Sequence, residues 1–422
     1  MIDINLLRNA ETKEATVTAL AKRGVALEAI HELLELDGEW LGMTNTTEST
    51  RALIRTANEK IAKASPEEQQ QIITDMKARK ESEETQNEQV KKISEERDNA
   101  WRQIPNIPLS DVQAGGENDA VEIAKSDVQV PDASTTPKNY LELMGTRVDM
   151  KRGAKVSGAR FTYLSGDLAR LELGIASYIM DKLSQEGFVQ VIPPLLLGNQ
   201  AMAGMGYLDQ AGDEVYQTQD DLYLVGTSEQ SLGAMHMDEI VPAEKLPIRY
   251  MAFTPCFRRE AGSHGKDVKG ILRLHQFDKV EMFSITTPEK SEEEHQFLLQ
   301  MQRSIMDDFK LPYRVIRLAA GDLGTPSAKT YDIETWIPSE QKYRETHSTS
   351  NTTDYQSRRL NIRFKDKEGT TKKVHMLNGT ATAMSRLLIA LIENHQQQDG
   401  SVELPKCLHQ YLPFQKLAPT VE

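Results

Sequence analysis

The alternation of apolar and polar positions divides the chain into a helical N-terminal part and a longer remainder in which strand and helix patterns mix. From Leu33 onward, heptad spacing places Leu33, Leu36, Trp40, Met43, Ile54, Ala57, Ile61 and Ala64 on one seam, with Thr47 and Thr50 filling two of its positions. Ser65-Pro66-Glu67-Glu68 breaks this helix and restarts it, with Ser65 as N-cap and Pro66 in the first turn. A second seam runs through Ile72, Met76, Arg79, Glu83, Gln86, Val90, Ile93, Arg97, Ala100 and Ile104. Folding back at Pro66 sets Ile61 opposite Ile72 and Trp40 opposite Ile93, and brings Thr47 and Thr50 to the height of Glu83 and Gln86. The pattern predicts an antiparallel helical hairpin with a polar waist, roughly 50 Å long at about 1.5 Å per residue.

Pro105-Asn-Ile-Pro108 closes the hairpin, and residues 109–138, rich in Asp, Ala, Ser, Gly and Thr, read as a linker. Helical periodicity returns over Asp167 to Gln185 and Pro288 to Asp307. Between and beyond these lie β-rich runs at 249–257, 276–286, 313–318, 329–337 and 360–364. Hairpin-like loops join them more often than βαβ crossovers. The expected class is therefore α+β, with an antiparallel-sheet domain over 139–422 following a helical domain over 1–108 whose arm spans about 27–104.

Composition narrows the possibilities. A chain of 422 residues with 39 % hydrophobic content can bury a main core and support a second unit. No window approaches a run of about eighteen apolar residues, so no membrane span is expected. The opening Met-Ile-Asp-Ile-Asn-Leu-Leu-Arg has the character of neither a secretory signal nor a transit peptide, which points to the cytoplasm. Cys256 and Cys407, far apart in sequence, exclude a disulfide framework and a multi-cysteine zinc site. A net charge of −13 argues against general nucleic-acid affinity, yet the basic residues are not spread evenly. Arg51, Arg55, Lys60, Lys63, Lys77, Arg79 and Lys80 gather on the outer arm, while its base is acidic. Such a cluster is either a solvated helical face or a phosphate-contacting surface.

The densest chemistry lies at 257–281. Phe257-Arg258-Arg259-Glu260 precedes a Gly- and Lys-bearing loop, after which Arg273, Phe277 and Glu281 recur every four residues. On an extended strand Arg258 and Glu260 would share a face. Two guanidiniums for phosphate oxygens, an aromatic face for a base and carboxylates for amino groups are the parts an ATP-using adenylating site needs. Taken singly, Arg-x-Glu also reads as a solvated ion pair. A P-loop is not supported, because no Gly-x-x-x-x-Gly-Lys-Ser/Thr run occurs.

Phe-Arg-x-Glu-Ala-Gly-Ser continuing to His-Gln-Phe-Asp-Lys-Val-Glu resembles the second signature motif of class II aminoacyl-tRNA synthetases, in the form found in the seryl-tRNA synthetase family. Gly187-Phe-x-x-Val-Ile-Pro193-Pro194 is similar to the first motif, and Thr227-Ser228-Glu229 to the amino-acid-binding segment. Tyr343-Arg-Glu345-Thr346-His347-Ser348 resembles the metal-binding segment, and Leu377-Asn-Gly-Thr380 through Arg386 to Glu393-Asn-His the third motif. The likeness runs from Ile2 onward, in the arm by pattern more than by residue.

This resemblance implies a cytoplasmic, homodimeric ligase of the form without zinc, using ATP and Mg²⁺ to join L-serine to tRNA(Ser) and, where it exists, tRNA(Sec). It implies serine contacts from Thr227, Ser228, Glu229, Arg258, Glu281 and Thr380. ATP contacts are implied for Arg258, Arg259, Glu260, Arg273, Phe277, Glu345, Thr346, His347, Ser348 and Arg386, with Phe277 stacked on adenine and Glu260 accepting from its amino group. Glu345 and Ser348 would be the Mg²⁺ ligands, and His347 between them reads as structural rather than catalytic. On the arm, Arg51, Arg55, Lys60, Lys63, Lys77 and Lys80 would contact tRNA. Two departures from the family pattern stand out: Thr227 to Ser231 is more polar than expected, and Asn139-Tyr140 stands where many members carry a histidine. A non-catalytic RNA-binding paralogue would share the fold, but intact Arg258, Glu281, Glu345 and Arg386 argue against it. A relative acting on carrier proteins would be expected to lack the arm.

Overall fold

Heptad-spaced apolar residues produce two long helices, α1 (Leu27–Ile61) and α2 (Pro66–Gln103). The structure is a computed structural model that describes residues 1–61, 64–130, 137–209, 212–261 and 270–419. It separates into two compact units, Met1–Pro105 and Asn106–Glu422. In the first unit, every seam position given by the heptad pattern is buried or half-buried. Arg97 sits on the seam with its guanidinium 3.9 Å from the centre of the Trp40 ring and 3.9 Å from the Asp37 carboxylate. Asp37 is also gripped by two nitrogens of Arg8, at 2.7 and 2.8 Å. Further out, Arg51 bridges the helices by donating to Glu83 Oε1 and Asn87 Oδ1, both at 2.8 Å. At the waist the hydroxyls of Thr47 and Thr50 donate to the carbonyls of Met43 and Thr46, so these seam residues satisfy themselves within their own helix. The restart of the helix is fixed by Pro66 in the first turn and by the Ser65 N–H, which donates to Glu68 Oε2 at 2.9 Å.

The second unit is built on an eight-stranded sheet. Its strands are β1 (Val121–Lys125), β2 (Val189–Gln190), β3 (Ile248–Phe257), β4 (Gln276–Thr286), β5 (Tyr313–Arg317), β6 (Lys329–Ile337), β7 (Lys342–Asn351) and β8 (His375–Ala383). They lie in the order β1-β5-β6-β7-β8-β4-β3-β2, and every neighbouring pair is antiparallel except β3 and β2. The α+β class with an antiparallel sheet is the one the pattern predicts. Two local expectations are corrected. The stretch 109–138 is not plain linker, because its Val121–Lys125 segment hydrogen-bonds to β5 as an edge strand. The run at 360–364 is not one strand either: helix Tyr355–Arg359 ends there, and the strand Arg363–Lys365 belongs to a separate three-stranded sheet.

Helices α3 (Asp167–Gln185), α6 (Ser291–Asp308) and α8 (Met384–Asn394) supply Leu171, Ile175, Leu298, Ile305, Leu387 and Leu391 to one core shared with Val280, Met282, Val315, Ile333 and Leu377 of the sheet. Shorter helices α4 (Asn199–Met205), α5 (Glu229–Ala234) and α7 (Tyr355–Arg359) lie between these in sequence. The period of two along β4 divides its work. Val280 and Met282 enter the core, whereas Lys279 and Glu281 line a cavity.

Candidate active site

The cavity holds about 530 Å³, and β4, β6, β7 and β8 contribute to its lining. Glu281 and Thr380 face one another across the β4–β8 pair, and the Thr380 hydroxyl donates to Glu281 Oε2 at 3.4 Å. The Lys279 ammonium forms an ion pair with Glu281, and both side chains are buried. Glu229 opens α5, with its backbone N–H donating to Thr227 Oγ1 at 3.2 Å. Its carboxylate receives the Tyr207 hydroxyl on Oε2 at 2.8 Å and the Gln356 amide on Oε1 at 2.9 Å. Burial pushes the Glu229 carboxyl above its ordinary range and the nearby Glu281 charge adds to this, while Gln356, Tyr207 and Lys279 oppose it. Two carboxylates, a lysine and two threonines thus converge in a small polar pocket. Such a pocket can hold an α-amine and a short hydroxylated side chain, and Lys279 offers a cation to an acid group.

Arg258 also lines this cavity. Its Nε donates to the Gly226 carbonyl at 3.1 Å, and its guanidinium lies 5.4 Å from the centre of the Phe277 ring. Arg258 and Glu260 do not share a strand face, because β3 ends at Phe257 and Glu260 adopts a left-handed φ of 49°. The turn instead brings Glu260 Oε2 within 2.9 Å of Arg273 Nη1. Arg386, not itself in the lining, meets a residue that is: its Nη1 donates to the Glu345 carbonyl at 3.0 Å and lies 3.1 Å from Glu345 Oε1. Ser348 stands directly across the β6–β7 ladder from Asp332, whose buried Oδ1 has no hydrogen-bond partner among the described residues. Burial, with Glu345 adding, raises the Asp332 carboxyl well above its ordinary range.

Several residues expected at the site lie elsewhere. Thr346 and His347 do not line the cavity: the Thr346 hydroxyl pairs with Thr335 Oγ1 at 2.7 Å, and His347 Nδ1 lies 2.9 Å from Thr346 Oγ1. A register shift between Ile333 and Glu334 accompanies this change of facing. Burial lowers the His347 imidazole to about 4, so it is neutral at physiological pH. Ser228 is buried away from the lining and Arg259 is exposed. On the arm, Arg55, Lys60, Lys77 and Lys80 are exposed, while Arg51 is engaged by Glu83 and Asn87. Lys63 and residues 262–269 of the motif loop lie outside the described residues.

Sequence reasoning missed Lys279, Tyr207, Gln356 and Asp332, all but Gln356 in the lining. Lys279 carried a signal, since it sits two residues from both Phe277 and Glu281 on one strand. The other three come from segments that only the fold brings together.

Residues 1–108 match the seryl-tRNA synthetase N-terminal domain, and residues 214–395 match the tRNA synthetase class II core domain (G, H, P, S and T). A serine–tRNA ligase of Thermobifida fusca is 42 % identical over 423 residues, covering 99 % of each chain. The chain belongs to the seryl-tRNA synthetase family. It is thereby an ATP-dependent aminoacyl-tRNA synthetase of class II. Among solved structures, seryl-tRNA synthetase of Pyrococcus horikoshii complexed with ATP matches with a TM-score of 0.92 at 35 % identity, covering 100 % of both chains. The cytoplasmic serine–tRNA ligase of Naegleria fowleri in complex with AMP matches at 0.87 and 30 %, covering 100 % of this chain and 99 % of that one. Both carry an adenine nucleotide, in keeping with the adenylating chemistry read from 257–281.

Proposed function

We propose that the chain activates L-serine with ATP to seryl-adenylate and pyrophosphate, then transfers serine to the 3′ end of tRNA(Ser) and, where it exists, tRNA(Sec). The observation that carries this reading is the facing of Glu281 and Thr380 across β4 and β8, beside Lys279, Glu229 and Arg258 in one cavity. The serine hydroxyl meets Glu281 and Thr380, and its ammonium meets Glu229 and Thr227. Alanine leaves the end wall with unpaired polar groups, and threonine is excluded by space.

No general base is required, because the attacking carboxylate is ionised at neutral pH. Arg258 and Lys279 orient that carboxylate toward the α-phosphorus. Charge then grows on the phosphate chain, and Arg258, Arg273 and Arg386 stabilise it. Arg273 and Arg386 are already oriented by Glu260 and Glu345, which reduces the reorganisation needed as the charge develops. Phe277 offers a ring face to adenine. Glu345 and Ser348 present hard oxygen donors to Mg²⁺. Among the described residues, no three His, Cys, Asp or Glu side chains converge on one point, so the protein would supply few ligands and leave the rest to phosphate and water. When bound, Mg²⁺ neutralises phosphate oxygens.

The tRNA is gripped by the exposed lysines and arginines of the arm, which position phosphates without reading bases. Two copies associate through the edge at β2, where Val189 is exposed and Ile192 is 93 % exposed. The cytoplasm is the proposed location. Serine-dependent ATP–pyrophosphate exchange tests the reading, with alanine, threonine and cysteine as controls. Exchange that responds equally to all four, or to none, overturns it.

A further inference from the structure

Glu229 is held in a way that no site motif records. Its two oxygens are each engaged by a neutral donor from a different segment: Tyr207, just after α4, and Gln356, in α7. Gly206 makes this placement possible, since its φ of +88° turns the chain out of α4 through a conformation that side-chain-bearing residues rarely adopt. The amide orientation of Gln356 is fixed by its surroundings. Its Nε2 lies 3.3 Å from the Met205 carbonyl as well as 2.9 Å from Glu229 Oε1, and both partners are acceptors. Its Oε1 lies 3.0 Å from the Thr352 hydroxyl, whose one proton it shares with the Met376 carbonyl at 2.7 Å. Gln356 is fully buried, so its amide has no alternative partner in water.

We infer that Tyr207 and Gln356 are positioning residues that lock Glu229 as an ionised acceptor for the substrate α-amine, and that they set discrimination in favour of that amine. The inference rests on the reading of Glu229 given above. Each Glu229 oxygen retains acceptor capacity after its fixed hydrogen bond. Glu281 and Lys279 on β4 act on it directly, Arg258 beyond β3 shares the cavity and acts on its partner Tyr207, and the Tyr207 and Gln356 donors favour its ionised form against burial and Glu281. Without them the carboxylate is free to rotate and binds a proton more readily.

The test uses the full chain with Tyr207→Phe and Gln356→Met, each of which removes a donor while keeping most of the side-chain volume. Serine KM should rise about tenfold in either variant, the effect of losing one hydrogen bond to a charged group. The kcat and the ATP KM should stay within about twofold. Inhibition by 3-hydroxypropanoate, which is serine without its amine, should be unchanged. The acid limb of kcat/KM for serine should move to higher pH, because Glu229 then stays protonated further up the scale. An unchanged serine KM in both variants overturns the inference. So does a parallel loss of serine, ATP and 3-hydroxypropanoate binding, which would make the pair merely structural. Wild-type protein that fails serine-dependent exchange counts against the proposed activity instead.

Discussion

Arg258 touches both halves of the proposed reaction, lining the serine cavity while its guanidinium reaches toward the Phe277 ring. Arg258→Ala should lower serine-dependent pyrophosphate exchange by about 10²- to 10³-fold, since it removes a donor whose hold strengthens as phosphate charge develops. Unchanged sedimentation and melting would show that the loss is chemical, and near-wild-type exchange would remove Arg258 from the site. At this scale the sequence was readable wherever residues crowd into one motif. Arg258, Phe277 and Glu281 declare their chemistry by type and spacing, and Lys279 could have been added by extending a period of two. Tyr207 and Gln356 could not, because nothing in a local pattern marks a tyrosine after a glycine turn as the partner of a glutamate 22 residues later. Thr346 and His347 show the limit of reading by adjacency: neighbours of two cavity residues, their side chains turn away where the β6–β7 register shifts.

Between elements, the most telling contact is the one joining α3 to the back of β4. Glu172 and Asp278 share a hydrogen bond beside a second cavity of about 500 Å³. Burial first, and the Asp278 charge second, push the Glu172 carboxyl up to about 8. A carboxyl raised above its unfolded value binds more protons in the folded state, so its contribution is complete at acid pH and fades as pH climbs toward 8. Glu172→Gln should therefore melt less pH-dependently than the parent between about pH 4.5 and pH 8, with its relative gain reaching its full size at the alkaline end of that window. Equal slopes in a pH series of melting curves would refute the shared proton. Helices were the easiest elements to foresee. The amphipathic period of α3 gave both of its ends, and the heptads of α1 and α2 gave a pairing that Asp37–Arg97 and Arg51–Glu83 now span. Edge strand β1 escaped notice because a five-residue, mostly exposed segment carries too little alternation to stand apart from a polar loop.

Across the whole molecule, activation and RNA capture are proposed to reside in different compact units, which makes them separable by experiment. Replacing Arg55, Lys60, Lys77 and Lys80 together by glutamate should weaken tRNA binding and flatten its salt dependence while leaving serine-dependent exchange intact. Arg51 is left out because reversing it would break its bridge to Glu83 and so confound charge with hairpin stability. If exchange and aminoacylation fall together, the arm has misfolded; if neither falls, its cations are only solvated. Ile192→Asp addresses assembly, and sedimentation should show it shifted toward monomer at micromolar concentration, whereas a dimer as firm as the parent would place the interface elsewhere. The two-faced strand β4 has one more consequence, for how such a chain can change over generations. Val280 and Met282 belong to the core and Lys279 and Glu281 to the cavity, so gaining or losing a single residue just before them would swap apolar and charged side chains between the two faces. Substitutions can accumulate there one at a time, but insertions and deletions of odd length are closed to it.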